Sequence, residues 1–192
     1  WDLAAANLLQ KDDDVLVLST GYFGDSFAEC IEAFGGKPKQ LSAPAGSRPN
    51  LDEFASLLKE KKYKAVTITH VDTSTGILMD VPAVTNVVKS VSPDTLVILD
   101  GVCSVGSEEI HMDAWGVDFL LFASQKGIGI PPGLSLSLAS PRAIQTFEKR
   151  SSPPAGFYTS WKKWLPVMKA YESRTPAYFA TPPTNLIYAL HT

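Results

Sequence analysis

The sequence predicts an α/β fold: a mostly parallel sheet of the seven-stranded type with helices on both faces. Three observations carry that prediction. Short continuous apolar runs, "VLVL", "AVTIT", "LVIL" and "FLLF", lack the in–out alternation of a half-exposed strand. Between them lie segments whose apolar residues recur at helical spacing, as in "LDEFASLLKEK". The two kinds alternate along most of the chain, the order that builds a parallel sheet covered on both faces.

Each element has its own local signal. "WDLAAANLLQ" is an Ala/Leu-rich helix, followed by a charged turn at Lys11 to Asp14 and a strand from Val15 to Leu18. Gly21 and Gly24 open a second helix in which Phe27, Ile31 and Phe34 share a face, until Gly35-Gly36 stops it. Lys39 to Leu41 reads as a short strand, "APAGSRPN" as a loop, "LDEFASLLKEK" as an amphipathic helix and "KAVTITH" as a strand rich in branched residues. "VDTSTGILMDV" reads as a polar loop. "PAVTNVVKSVSPD" is a helix with proline in its first turn, and "TLVILD" is another buried strand. "GVCSVGSEEIHMDAWG" is a linker or short helix, and "VDFLLFA" and "LSLSLAS" are strands on either side of the loop "SQKGIGIPPG". "PRAIQTFEKR" is a helix beginning at Pro141. Residues 151–192 change character: they are rich in proline and aromatics and predict an interface-forming excursion followed by a helix.

The chain has 192 residues, 45% hydrophobic and 19% charged, which suits one globular domain with a substantial core. Its 17 basic and 20 acidic side chains give a net charge of −3 without long like-sign runs, so neither nucleic acid nor an anionic membrane is indicated as a partner. No apolar run reaches the roughly 18–20 residues of a membrane span. Cys30 and Cys103 stand outside any zinc-ligand spacing, which predicts buried free thiols in a reducing compartment and no metal site. The helical patterns read as cut at both ends, so the chain is taken as a piece whose organelle stays open: peroxisome, mitochondrion or cytosol.

The candidate chemistry lies at strand ends. Asp100 closes "TLVILD" and Lys126 follows "VDFLLFA", both at carboxyl ends, where ligands of such sheets bind. Alone, Asp100 reads equally as a cap or turn former, and Lys126 as a solvated loop lysine. Together with Gly127, Gly129 and Gly133, which allow close backbone approach, they suggest a ligand held between them. A desolvated lysine there can condense with a carbonyl cofactor. A carboxylate keeps a pyridine nitrogen protonated, which makes the ring an electron sink. No G-x-G-x-x-G or G-x-x-x-x-G-K-[ST] pattern supports a nucleotide site. His70 reads as structural; His111 and His191 read as surface or core fillers; Trp161 and Trp164, three apart, suggest a helix face at an interface.

"TGYFGDSFAE", "HVDTSTG", "LDGVCSVG", "FASQKGIGIPPG" and "YFATPPTNLIYAL" together resemble, in order over essentially the whole chain, the class V aminotransferases of pyridoxal-phosphate fold type I. The alanine–glyoxylate and serine–pyruvate group is the most similar. The resemblance implies pyridoxal 5'-phosphate as cofactor and transamination of alanine or serine with glyoxylate or pyruvate. It makes residues 1–192 a cofactor-binding large domain truncated at both ends, with 151–192 a dimer-interface segment and a helix leading out. Lys126 would hold the cofactor covalently and move the proton at the substrate's Cα. Asp100 would face the pyridine nitrogen, and Val102 would press one face of the ring. Phe23 would stack on the other face, or serve only core packing.

The same resemblance sets Thr73 near the ring's phenolic oxygen and Ser124 and Gln125 near the phosphate. Tyr178 and Thr181 would reach the phosphate of a second subunit's cofactor in a homodimer, or be incidental loop hydroxyls. Asp72 departs from the glutamate of many relatives and has no assigned role. The usual glycine-rich phosphate turn and the small domain with its carboxylate-clamping arginine are absent, so this piece alone is not expected to transaminate efficiently. Two alternatives are a lyase or desulfurase of the same fold, against which Gln125 speaks because such enzymes carry histidine before the lysine, and a non-catalytic dimerisation module.

Overall fold

In the computed structural model, which describes residues 1–192, the strands in chain order are β1 (Asp14–Ser19), β2 (Lys37–Ser42), β3 (Ala65–Thr69), β4 (Val71–Asp72), β5 (Ile77–Leu78), β6 (Leu96–Asp100), β7 (Phe119–Ala123) and β8 (Ser135–Ala139). The helices are α1 (Asp2–Leu8), α2 (Tyr22–Ala33), α3 (Leu51–Glu60), α4 (Val81–Val91), α5 (Met112–Trp115), α6 (Pro141–Glu148), α7 (Trp161–Glu172) and α8 (Thr184–His191). One sheet runs β2-β1-β3-β6-β7-β8. Its first five strands are parallel, and β8 returns antiparallel to β7.

Two apolar layers follow from the two-residue period of a strand. Val15, Val17, Ala65, Leu96, Ile98, Phe119 and Leu121 point to one face, under α1, α2, α6 and the first turn of α7. Leu16, Leu18, Val66, Ile68, Val97, Leu99 and Leu120 point to the other, against Phe54 and Leu58 of α3 and Val81, Val84 and Val88 of α4. Burying each such large side chain contributes roughly 1.5–3 kcal/mol. Helix starts are set locally. Asn50 accepts the amides of Asp52 and Glu53, Asp80 that of Ala83 and Ser140 that of Ala143, with proline in the first turn of α4 and α6.

The expected strands and helices are present, with several differences. The main sheet has six strands rather than seven, because the chain beyond Ala139 folds only into helices and loops. The "VDTSTGILMDV" segment is not a plain loop: β4 and β5 pair as a small antiparallel hairpin, Val71 against Leu78 and Asp72 against Ile77. Cys30 and Cys103 are half-buried, not buried. His111 lies at the surface, where it pairs with the exposed Glu109 carboxylate. Trp161 belongs to the core instead of an interface face: it is 7% exposed, with its ring 5.7 Å from Phe119 and 5.5 Å from Phe147. Only Trp164 joins the outer aromatics, 5.0 Å from Phe179 and 5.5 Å from Tyr158.

Residues 150–161 are docked on the end of α1. The Arg150 guanidinium donates to the carbonyls of Asn7 and Leu9, Gln10 Oε1 accepts from Ser151 and Ser152, and Asn7 bridges Thr159 and Trp161. Within that anchorage Phe157 and Tyr158 are exposed, and beyond it Tyr171, Tyr178 and Tyr188 are too.

Candidate active site

The strand order reverses at β1, with β2 on one side and β3, β6 and β7 on the other, so a crevice opens beyond the carboxyl ends of β1 and β3. Register carries the side chains to it. Thr69 pairs with Asp100 and Asp100 with Leu121, and the period of two turns Thr69 and Asp100 to the α1/α2 face. There a cavity of about 190 Å³ is lined by Trp1, Phe23, Thr69, Val71, Asp100, Val102, Cys103, Gln125 and Lys126. The structure thus brings together Phe23, Asp100, Val102, Gln125 and Lys126 from the residues selected in the sequence.

Asp100 is 4% exposed at the cavity floor. Its Oδ1 accepts the Val102 amide at 2.9 Å and its Oδ2 the Trp1 indole N–H at 2.7 Å. Burial pushes its carboxyl above the ordinary carboxylate range, against the lowering effect of those two hydrogen bonds. Asp118, immediately before β7, is partnered differently. That buried carboxylate receives the Val97 amide, the Ser140 hydroxyl and the Arg142 guanidinium. Asp100 has two neutral donors and no basic side chain among its hydrogen-bond partners, so a cationic N–H entering the cavity would complete it.

Lys126 stands at the mouth. It is exposed and not desolvated as the sequence suggested, because its loop carries it to the open rim of the crevice. The loop itself is tightly held. Ser124 is fully buried, its hydroxyl donating to the Pro131 carbonyl at 2.7 Å and accepting the Leu134 amide at 3.2 Å. The Gly129 amide closes a turn onto the Lys126 carbonyl at 2.9 Å. Ser124 therefore fastens the lysine's loop and does not line the cavity, while Gln125 does.

The sequence did not single out four cavity residues: Trp1, Thr69, Val71 and Cys103. Trp1 lies with its ring stacked on Phe27 at 5.3 Å and 14°, and reaches Asp100 from α1. The Thr69 hydroxyl is buried and has no partner. Its position two residues on from Thr67 and four from Ala65 marks it as facing inward, and that was the available signal. Cys103 follows Val102 into the lining. Thr73 lies on the exposed hairpin turn and does not line the cavity. Nor do Tyr178, 74% exposed, and Thr181, whose hydroxyls bond each other at 3.0 Å on the outer loop.

The profile of the family Aminotransferase class-V matches residues 1–191. The chain belongs to the class V aminotransferases. The alanine–glyoxylate aminotransferase 1 of Saccharomyces cerevisiae is 43% identical over 99% of this chain and 51% of its own length. The serine–glyoxylate aminotransferase of Arabidopsis thaliana is 29% identical over 99% of this chain and 47% of its own. The crystal structure of an alanine–glyoxylate aminotransferase from Nostoc sp. superposes with a TM-score of 0.89 at 32% identity, covering 98% of this chain and 48% of that one. This class V chain thus spans about half the length of the curated relatives it matches.

Membership of the class implies pyridoxal phosphate, and the cavity fits it. The orphaned Thr69 hydroxyl and the Asp100 carboxylate without a cation are polar groups that a flat ring with a protonated nitrogen would satisfy.

In this class V chain His70 adjoins the cavity residues Thr69 and Val71 yet faces the opposite layer. It is 3% exposed, packs edge-on to Trp115 at 6.0 Å, and its Nδ1 has no partner. Burial lowers its pKa from 6.5 to about 4. The unfolded chain therefore binds more protons between those values, and stability present at neutral pH is lost as pH falls through the window. At 1.36 kcal/mol per unit the loss is on the order of 3 kcal/mol. Denaturant unfolding from pH 7 to pH 4 should show this slope in the wild type and a flatter one in His70→Gln; identical slopes would exclude it.

Proposed function

We propose that this chain is the cofactor-binding large domain of a pyridoxal-phosphate-dependent aminotransferase that moves an amino group from alanine or serine to glyoxylate or pyruvate. The observation that carries the reading is the buried Asp100 facing a cavity whose mouth holds Lys126 and whose lining includes Phe23 and Val102. When bound, the cofactor supplies an electron sink for the pair left at the substrate's Cα. Asp100 holds a proton at the ring nitrogen. Phe23 and Val102 press the ring from opposite faces. The Lys126 amine holds the aldehyde end and carries the proton at Cα. Gln125 would lie toward the phosphate, with Ser124 acting through the loop it fastens; Thr73, on the exposed hairpin turn, stays outside the cavity lining.

Alanine and glyoxylate rest on the named activities of the relatives from Saccharomyces and Nostoc and serine on that of the relative from Arabidopsis, while pyruvate rests on the sequence resemblance. The exposed aromatics of residues 151–192 support a homodimer in which Tyr178 and Thr181 reach the partner's cofactor phosphate. The Asp100 and Lys126 pair speaks against a dimerisation module without chemistry.

The test is an absorbance spectrum of the full-length protein carrying this chain, reconstituted with pyridoxal phosphate, before and after L-alanine. The expected result is a visible band that Lys126→Ala lacks and that L-alanine bleaches. A band insensitive to L-alanine and L-serine would remove the assigned donors, and no band at all would remove the cofactor.

A further inference from the structure

Asp72 is fully buried, 0% exposed, yet its hydrogen-bond partners are all neutral. Its Oδ2 accepts the amides of Phe23 at 3.1 Å and Gly24 at 3.4 Å. Its Oδ1 accepts the Ser74 amide at 3.0 Å and the Ser74 hydroxyl at 2.6 Å. The Ser74 oxygen in turn accepts the Tyr22 amide at 3.0 Å. Three successive amides at the start of α2 therefore end on one carboxylate–hydroxyl pair carried by the β4–β5 hairpin.

Those amides are the ones a helix leaves without internal partners, and they concentrate the positive end of its dipole. Helices usually answer them with a side chain at the N-cap. Here the N-cap is Gly21, which has none. A Cβ at Gly21 would lie 2.4 Å from the Ser74 oxygen and 3.0 Å from Asp72 Cγ, so the space a local cap would need is filled by the hairpin. The cap is supplied from 49 residues away. Its immediate effect falls on Phe23, whose amide it grips and whose ring lines the cavity.

We propose that Asp72 is a positioning residue: it caps α2 from outside the helix and so fixes the angle at which Phe23 stands over the bound cofactor. The inference rests on the pyridoxal-phosphate reading above. It also explains why the short side chain suffices at this position, since a carboxylate that must contact backbone amides and a neighbouring serine within one turn has no distance to span.

The experiment is a double-mutant cycle in the full-length protein, read as the dissociation constant of pyridoxal phosphate and the induced circular dichroism of the bound cofactor. Asp72→Asn and Phe23→Leu are each expected to weaken binding about tenfold, the scale of losing a charged cap. Together they should weaken it little more than either alone, because one acts through the other. Asp72→Asn should also reduce the induced signal per bound cofactor, which a loss of stability by itself would leave unchanged. Multiplied effects, or an unaltered induced signal, would overturn the inference. If Asp72→Asn does not fold, Ser74→Ala, which releases the Tyr22 amide from the same clamp, enters the cycle in its place with the same expectation. A wild-type protein that takes up no cofactor would instead sink the functional reading, and this inference with it.

Discussion

Asp100→Asn in the full-length protein is expected to lower turnover roughly 10²–10³-fold, the usual cost of removing one preorganised electrostatic partner, while changing how stability responds to pH. Both effects come from one feature: a carboxylate 4% exposed that receives only an amide and an indole N–H. On the proposed function, that uncompensated charge would hold a proton on the ring nitrogen of a bound cofactor, which the neutral amide could not do. Without cofactor, burial raises the carboxyl's folded pKa above its unfolded value of 3.8. The stability associated with the protonated form is then fully present below that value and lost as pH rises through the raised folded one. The cofactor-free wild type therefore loses stability relative to Asp100→Asn between pH 4 and pH 7, the site costing stability for the sake of function. Steady-state kinetics and denaturant unfolding at the two pH values check this. A variant that retains wild-type turnover, or whose stability difference does not move with pH, contradicts it.

Much of this was legible because it is periodic. The buried strands read as continuous apolar runs, and their polar terminators Asp100 and Lys126 mark one rim of the sheet in the sequence itself. Strand parity then decides which residues share a face, and it would have added Thr69 to the site. What could not be read is whatever depends on groups distant in sequence meeting by packing. The Trp1 indole reaches a carboxylate across 99 positions, and Asp72 caps a helix 49 positions earlier. The hairpin was missed because its strands are two residues long, too short for alternation to register. Trp161 was misplaced for a related reason. Spacing of three puts it on one face with Trp164, but only the docking of residues 150–161 on α1 turns that face inward at one tryptophan and outward at the next. Ser124, beside the lysine in sequence, proved to hold the loop from within because its side chain turns to Pro131 and Leu134.

Gly127→Ala is expected to cut turnover and the rate of cofactor incorporation by about 10²-fold without unfolding the protein. The reason is space, not backbone conformation. A Cβ at this position would lie 2.4 Å from the Val105 carbonyl oxygen, 2.7 Å from the Ser107 hydroxyl and 3.2 Å from the Gly106 carbonyl carbon. Two of those three atoms are backbone, in the turn that follows Asp100, so the strain falls on the loop that carries Lys126. The β7–β8 pairing, Phe119–Ala123 against Ser135–Ala139, brackets the loop on both sides and lies outside the contact, so the displacement is expected to stay on the lysine's side of the cavity. A shift of the order of 1 Å in a reacting group is enough for a hundredfold loss. Gly129→Ala provides the contrast. That glycine has a φ of +78°, but nothing lies within 4 Å of its Cβ position. Its alanine variant should therefore lose stability by about 1 kcal/mol through the left-handed conformation while keeping most of the turnover. If Gly127→Ala incorporates cofactor as fast as the wild type, the close approach of the Asp100 and Lys126 loops is not what sets the lysine in place.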